Sequence, residues 1–321
     1  MRGPILAVCC CLAAAAPPRA AEPAPPKALP ALQMTLTDLS PKFLAFYAAA
    51  EREKAPPDRR WELWKKMYDF AAVPPTPEGD AIARRLLDQA WPRYPAVMAR
   101  IRAGGGPILP EARAALRSVA GLLRPEVPID VRLLVYVGAL EGNAFTMADH
   151  GKITTAIPVE SAPGPRALVM THELTHAVEI GMGSLAGGYE RTIGAVAVPE
   201  GLASRVTQKL FPGRPDAESI EYTPGWLAKA GKRQAEILKG IRPFLTSRKP
   251  DDIMRFTMGT GPAGLEREAY YAGWVVVGYW LSHGMSFADV ARIPEAEMPR
   301  RMADTIDTLL GARPGREPHG R

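Results

Sequence analysis

Residues Val169 to Val178 read Val-Met-Thr-His-Glu-Leu-Thr-His-Ala-Val, with His172 and His176 four positions apart and Glu173 between them. On a helix, positions i and i+4 share one face about 5 to 6 Å apart, so both imidazoles can reach a single metal ion while the glutamate beside them is free to act as a base. From Ala167 to Leu174 the only charge is Glu173. A carboxylate in such surroundings is costly unless a cation or hydrogen bonds compensate it, and Zn2+ is the expected compensation. The chain has only five histidines, so their pairing here is informative.

Catalytic zinc takes three protein ligands and keeps a fourth position for water, so a third ligand is required. Glu200 is the best candidate, 24 residues beyond His176, flanked by apolar residues and near the expected start of a helix. The competing account is a first-turn glutamate complementing the helix dipole. Glu190 and Glu221 have more polar neighbours and fit less well, and His150, in an Asp-His-Gly turn, reads more readily as solvated. The chemistry of such a centre is hydrolysis: Glu173 takes a proton from the metal-activated water and returns it to the leaving amine. The developing oxyanion needs a further donor, for which Tyr270 is the candidate, with Tyr271 and His283 behind it. Ser204, four residues after Glu200, is placed to support that ligand.

These residues need elements to hold them. In the first half, Ser40-Pro41 starts an amphipathic helix carrying Phe43, Leu44 and Tyr47, and Asp58 caps a second with Trp61, Leu63, Trp64, Met67 and Tyr68. Asp80 caps a third, which Pro92 ends or kinks; Gly104 to Gly106 breaks the chain, and Pro110-Glu111 opens a helix ending near Leu123. Strands are expected at Val131 to Val137 and Lys152 to Val159, on either side of a polar turn at residues 149 to 151. The edge that would pair with an extended substrate is either Asn143 to Met147 or Lys152 to Val159. Glycine-rich residues 181 to 188 predict a mobile loop, Pro199 starts a helix to Leu210, Ala272 to Leu281 is an apolar core helix, and Met298 to Leu310 is the last. The fold class is α+β, mainly helical, with a small sheet beside the histidine-bearing helix.

A His-Glu-x-x-His helix followed by a glutamate on a second helix resembles the gluzincin arrangement of zinc metallopeptidases. The chain is more closely similar to a family of predicted zinc-dependent proteases classed as a domain of unknown function. The likeness rests on four features: the helical first half, the strand pair, the segment Glu200-Gly201-Leu202-Ala203 and the segment Tyr270-Tyr271-Ala272-Gly273. It extends from about Leu36 to Leu310. The resemblance implies a zincin-like catalytic domain with Zn2+ on His172, His176 and Glu200, and with a peptide or protein as substrate.

At 321 residues and 47% hydrophobic content the chain can bury a sizeable core. Arg2 followed by an apolar run from Ile5 to Ala16 reads as a secretory signal over residues 1 to 21, so the expected location is periplasmic or secreted. Cys9, Cys10 and Cys11, the only cysteines, fall inside it; their lipidation is a minor alternative. A Pro/Ala-rich linker is expected over 22 to 35, a helical region over 36 to 125, the catalytic domain over 126 to 310 and a basic flexible tail over 311 to 321. The net charge of +6 is spread along the chain without an aromatic-interleaved basic stripe, which argues against nucleic acid as a partner. No stable membrane insertion is expected after signal cleavage. The alternative to a peptidase is a zinc-stabilised, non-catalytic binding or scaffold protein of the cell envelope.

Overall fold

The computed structural model describes residues 28 to 149, 151 to 186 and 191 to 311. The signal, residues 22 to 27 of the linker, all but Gly311 of the tail, His150 and Glu190 lie outside the described residues. The first element is a strand, β1 (Leu32–Asp38), in which Leu32, Met34 and Leu36 alternate with polar residues. It begins inside the segment expected as linker. Five helices follow, α1 (Ser40–Glu53), α2 (Pro57–Met67), α3 (Pro77–Ala90), α4 (Tyr94–Ala103) and α5 (Ile108–Leu123). As expected from Pro92, α3 stops at Ala90 and a single 3-10 turn leads into α4.

Next come β2 (Ile129–Tyr136), β3 (Phe145–Asp149) and β4 (Lys152–Pro158), followed by α6 (Pro163–Gly181) and α7 (Ile193–Leu210). The remaining helices are α8 (Ala217–Ile220), α9 (Trp226–Lys232), α10 (Gln234–Ile241), α11 (Pro250–Thr257), α12 (Glu268–Ser282), α13 (Phe287–Ala291) and α14 (Met298–Leu309). Among the described residues no helix is long and apolar enough to cross a membrane.

The four strands form one sheet in the order β1-β2-β4-β3. β1 runs parallel to β2 with Leu32 opposite Ile129, β2 runs parallel to β4, and β3 is antiparallel to β4 with Thr146 opposite Thr155. This decides between the two expected edges: β4 is interior, and Phe145–Asp149 is the free antiparallel edge. The sheet also draws the first half of the chain into the second. One contiguous core runs from Phe43 and Tyr94 through Ile129 and Ile157 to Leu202 and Ile306. The boundary expected between residues 125 and 126 is therefore not a packing boundary.

The helical first half shapes the approach to the edge strand. Phe43 is packed edge-on against Phe46, Tyr68 and Tyr94, an arrangement favoured by the ring quadrupoles. From this cluster the Tyr68 hydroxyl donates to the Val137 carbonyl at 2.9 Å and accepts from the Val137 amide at 2.7 Å, and the Tyr94 hydroxyl donates to the Gly138 carbonyl at 3.0 Å. Buried Glu160 accepts from the Gly138 and Leu140 amides at 3.1 and 3.3 Å. Burial pushes the Glu160 carboxyl up from the ordinary range, against those amide bonds. The β2–β3 connection is thus held by buried polar partners, which are expensive to break.

Candidate metal centre

Helix α6 carries the histidine pair through the middle of the molecule, packed between the sheet, α5 and α7. Pro163 opens its first turn, where the missing N–H costs nothing. Buried Arg166 donates from Nη1 to the Ser161 carbonyl at 3.1 Å and from Nη2 to Glu111 at 3.0 Å. Thr171 and Thr175 return their hydroxyls to the carbonyls one turn back, so they enter the core without orphaned groups. At the far end Gly181 lies against Ile129, where an added Cβ would sit 2.6 Å from a side-chain methyl. Of the loop expected over 181 to 188, Gly181 still belongs to the helix, residues 182 to 186 turn, and the rest lies outside the described residues.

Helix α7 brings the third candidate ligand and corrects one expectation. Its N-cap is Thr192, whose hydroxyl accepts from the Ala195 amide at 3.2 Å, and Pro199 lies inside the helix rather than at its start. Glu200 is therefore in mid-helix, beyond the first turn where the dipole acts, so the dipole account of this residue falls.

The position of α7 relative to α12 is set by two glycines. A Cβ on Gly201 would lie 2.3 Å from the Gly273 backbone, and one on Gly273 would lie 1.8 Å from the Ala197 carbonyl oxygen. The segments Glu200-Gly201 and Tyr270-x-x-Gly273 are therefore the two sides of one close helix crossing. That crossing puts Glu200, beside one glycine, next to Tyr270, one turn before the other. Arg205 fastens the pair by donating from Nε and Nη2 to the Trp274 carbonyl at 3.0 and 2.9 Å.

The three candidate ligands converge. His172 Nε2 lies 3.0 Å from Glu200 Oε2, His176 Nε2 lies 3.2 Å from His172 Nε2, and His176 Nε2 lies 3.7 Å from Glu200 Oε2. A tetrahedral ion with ligand bonds of about 2.0 to 2.1 Å separates its ligand atoms by roughly 3.3 Å. The observed triangle fits that requirement, and the donor set of two imidazoles and one carboxylate suits zinc. Glu173, on the same helix, is 9% exposed. Its charge acts on both His176 and Tyr270, so its carboxylate lies near both.

The protonation pattern fits a cation site. Burial alone would push His176 down, but Glu200 and Glu179 outweigh it and hold its pKa well above the ordinary range. Burial alone would push Glu200 up, but His176 and His172 bring it below the ordinary carboxylate range. The cluster holds a proton where a metal would supply positive charge.

Glu179 belongs to the site although sequence reasoning missed it. It is fully buried, neither carboxylate oxygen has a hydrogen-bond partner among the described residues, and Oε2 lies 3.4 Å from His176 Nδ1. Burial pushes its pKa up, and His176 and Arg191 oppose the shift. A carboxylate behind Nδ1 favours the tautomer that leaves Nε2 free for a metal. The available signal was an acid one turn beyond the second histidine on a helix with few charges.

Tyr270 stands near Glu200 in the first turn of α12, its hydroxyl pushed up to about 12, chiefly by burial and then by Glu200. Its proposed substitutes do not. Tyr271 turns to the opposite side and donates to Gln234 at 3.1 Å, while His283 caps the other end of α12, stacked on Tyr279 and bonded to its carbonyl through Nδ1 at 2.8 Å. Thirteen residues of helix separate His283 from Tyr270, about 20 Å. Ser204 is buried but makes no hydrogen bond to Glu200, and Glu221 accepts from the Leu227 amide at 2.9 Å instead of joining the site.

The free edge reaches the site directly. On β3, the Thr146 hydroxyl donates to the Glu173 carbonyl at 2.9 Å. Comparison of the chain with protein-family models, curated proteins and solved structures finds no match in any of the three.

Proposed function

We propose that the protein is a zinc-dependent metallopeptidase of gluzincin type on a zincin-like fold, akin to the predicted zinc-dependent protease family that its motifs resemble. One observation carries this reading: the ligand atoms of His172, His176 and Glu200 form a triangle of 3.0, 3.2 and 3.7 Å, with Glu173 on the same helix. The three residues would hold Zn2+, which when bound acts as a Lewis acid and lowers the pKa of water to about 7.

The rest of the chemistry belongs to the chain. Glu173 accepts the proton of the attacking water and returns it to the leaving amine. Tyr270 keeps its proton at neutral pH, since its pKa is about 12, and its hydroxyl donates to the oxyanion that develops at the scissile carbonyl. An extended peptide adds to the sheet along Phe145–Asp149, antiparallel pairing with β4 leaving the outer side of that strand open. The hydrogen bond from Thr146 to Glu173 fixes the height of that edge relative to the base. Glu179 holds His176 in orientation. Export to the periplasm or beyond follows from the leader at residues 1 to 21.

Glu173→Gln tests the assignment, because it preserves the shape of the side chain while removing the base. The expected result is retention of zinc with peptidase activity reduced about 10²- to 10⁴-fold. Unchanged activity contradicts the mechanism. A wild-type protein that binds zinc and cleaves no peptide points instead to the zinc-stabilised scaffold.

A further inference from the structure

Next to Tyr270, and outside the proposed machinery, is an arginine whose side chain reaches the Tyr270 hydroxyl but no carboxylate among the described residues. Arg267 caps α12 in the left-handed region, at φ 57°, where a side chain other than glycine is strained and needs the surroundings to hold it. Those surroundings are visible. The Arg267 carbonyl accepts from the Tyr270 amide at 3.0 Å, the Trp226 indole donates to the Glu266 carbonyl at 2.9 Å, and fully buried Glu268 accepts from the Leu265 amide at 3.2 Å.

The guanidinium lies 4.0 Å from the ring centre of Tyr270 and 4.9 Å from that of Tyr222. Among the described residues it pairs with no carboxylate, and its Nε is buried with no hydrogen-bond partner. Three other arginines of this half are paired: Arg233 with Glu236, Arg242 with Asp307 and Arg301 with Glu297. Arg267 therefore presents an uncompensated positive charge, fixed between aromatic faces, beside the residue that senses Glu200 and Glu173.

Resting on the metallopeptidase reading, we propose that Arg267 receives a carboxylate of the substrate, so that the site selects peptides bearing a negative charge beside the bond to be cut. A planar guanidinium takes a carboxylate through two parallel hydrogen bonds, and stacking on a ring fixes its plane. Glu173 and Glu200 would repel an anionic ligand, and Arg267 supplies the opposing charge. The same chemistry is offered by the free C-terminus of a peptide and by an aspartate or glutamate side chain within one.

Calorimetric binding to the Glu173→Gln protein, whose turnover is expected to be strongly slowed, separates these sources. Three acetylated penta-alanine peptides serve as probes: one with a free terminal carboxylate, one with a terminal amide, and one amidated with glutamate in place of the central alanine. Each is measured on zinc-loaded and metal-free protein. One of the charged peptides is expected to bind about tenfold or more tightly than the neutral amide. Preference for the free terminus identifies a C-terminal carboxylate, and preference for the central glutamate identifies an acidic side chain. Adding Arg267→Met removes the preference, and Arg267→Lys, which cannot form the two-pronged contact, retains only part of it. Equal binding of all three peptides, or a preference that survives Arg267→Met because the metal takes the carboxylate, overturns the assignment. Failure to take up zinc would instead overturn the metallopeptidase reading, while the metal-free measurement still decides the role of Arg267.

Discussion

At the scale of single residues, the centre is a contest between burial and pairing. Glu179 shows it best, since a carboxylate removed from water costs on the order of several kcal/mol unless matched, and its match is His176 at 3.4 Å. Glu179→Gln is expected to weaken zinc binding about 10- to 100-fold while leaving the three ligands in place; competition with a chromophoric chelator measures it. The same titration read against pH has a definite sign. In the metal-free protein Glu200 is depressed below 4.5, so its contribution to stability is present above that value and lost as pH falls through the folded-state pKa. His176 is raised above 6.5, so its contribution is full below that value and lost as pH rises through the raised pKa. Zinc must displace the His176 proton, so its affinity falls as pH is lowered. A zinc affinity that is flat with pH would contradict this.

At the scale of elements, the glycine crossing of α7 and α12 determines whether the site exists. Gly273→Ala forces a Cβ to within 1.8 Å of the Ala197 carbonyl oxygen. The helices must part, at a cost of about 3 kcal/mol, and Tyr270 must withdraw from Glu200. Gly121→Ala, in open space on α5, is the matched control and is expected to stabilise the fold by about 0.5 to 1 kcal/mol. Chemical denaturation of the two variants gives both values, and a Gly273→Ala protein as stable as the wild type would contradict the close crossing. Element identity was largely legible in the sequence. The histidine helix, the strands β2 and β4, and the ends imposed by Pro92 and the glycine run follow from periodicity and breakers. Pro199 misled because proline favours the first turn, and the true cap was Thr192, seven residues earlier. β1 was missed because its alternation of Leu32, Met34 and Leu36 is short and follows a Pro/Ala-rich run, and its partner β2 lies far along the chain. Glu179 and Arg267 were missed for another reason: their roles depend on what surrounds them in space, which spacing alone does not reveal.

At the scale of the whole molecule, the helical first half and the half that carries the candidate site are one object. Tyr68, Tyr94 and Glu160 hold the connection that leads into the edge strand, and β1 closes the far side of the sheet that backs α6. The first half therefore acts as a buttress for the free edge of the sheet. All of this serves a single centre on His172, His176 and Glu200, and its most direct test is the metal content of protein purified without added metal, compared with Glu200→Ala. The account predicts about one zinc per chain in the wild type, in keeping with a site of three protein ligands, and its loss in the variant. Wild-type protein that is folded but free of zinc and takes none up, or a Glu200→Ala protein that holds it as tightly, would contradict the account.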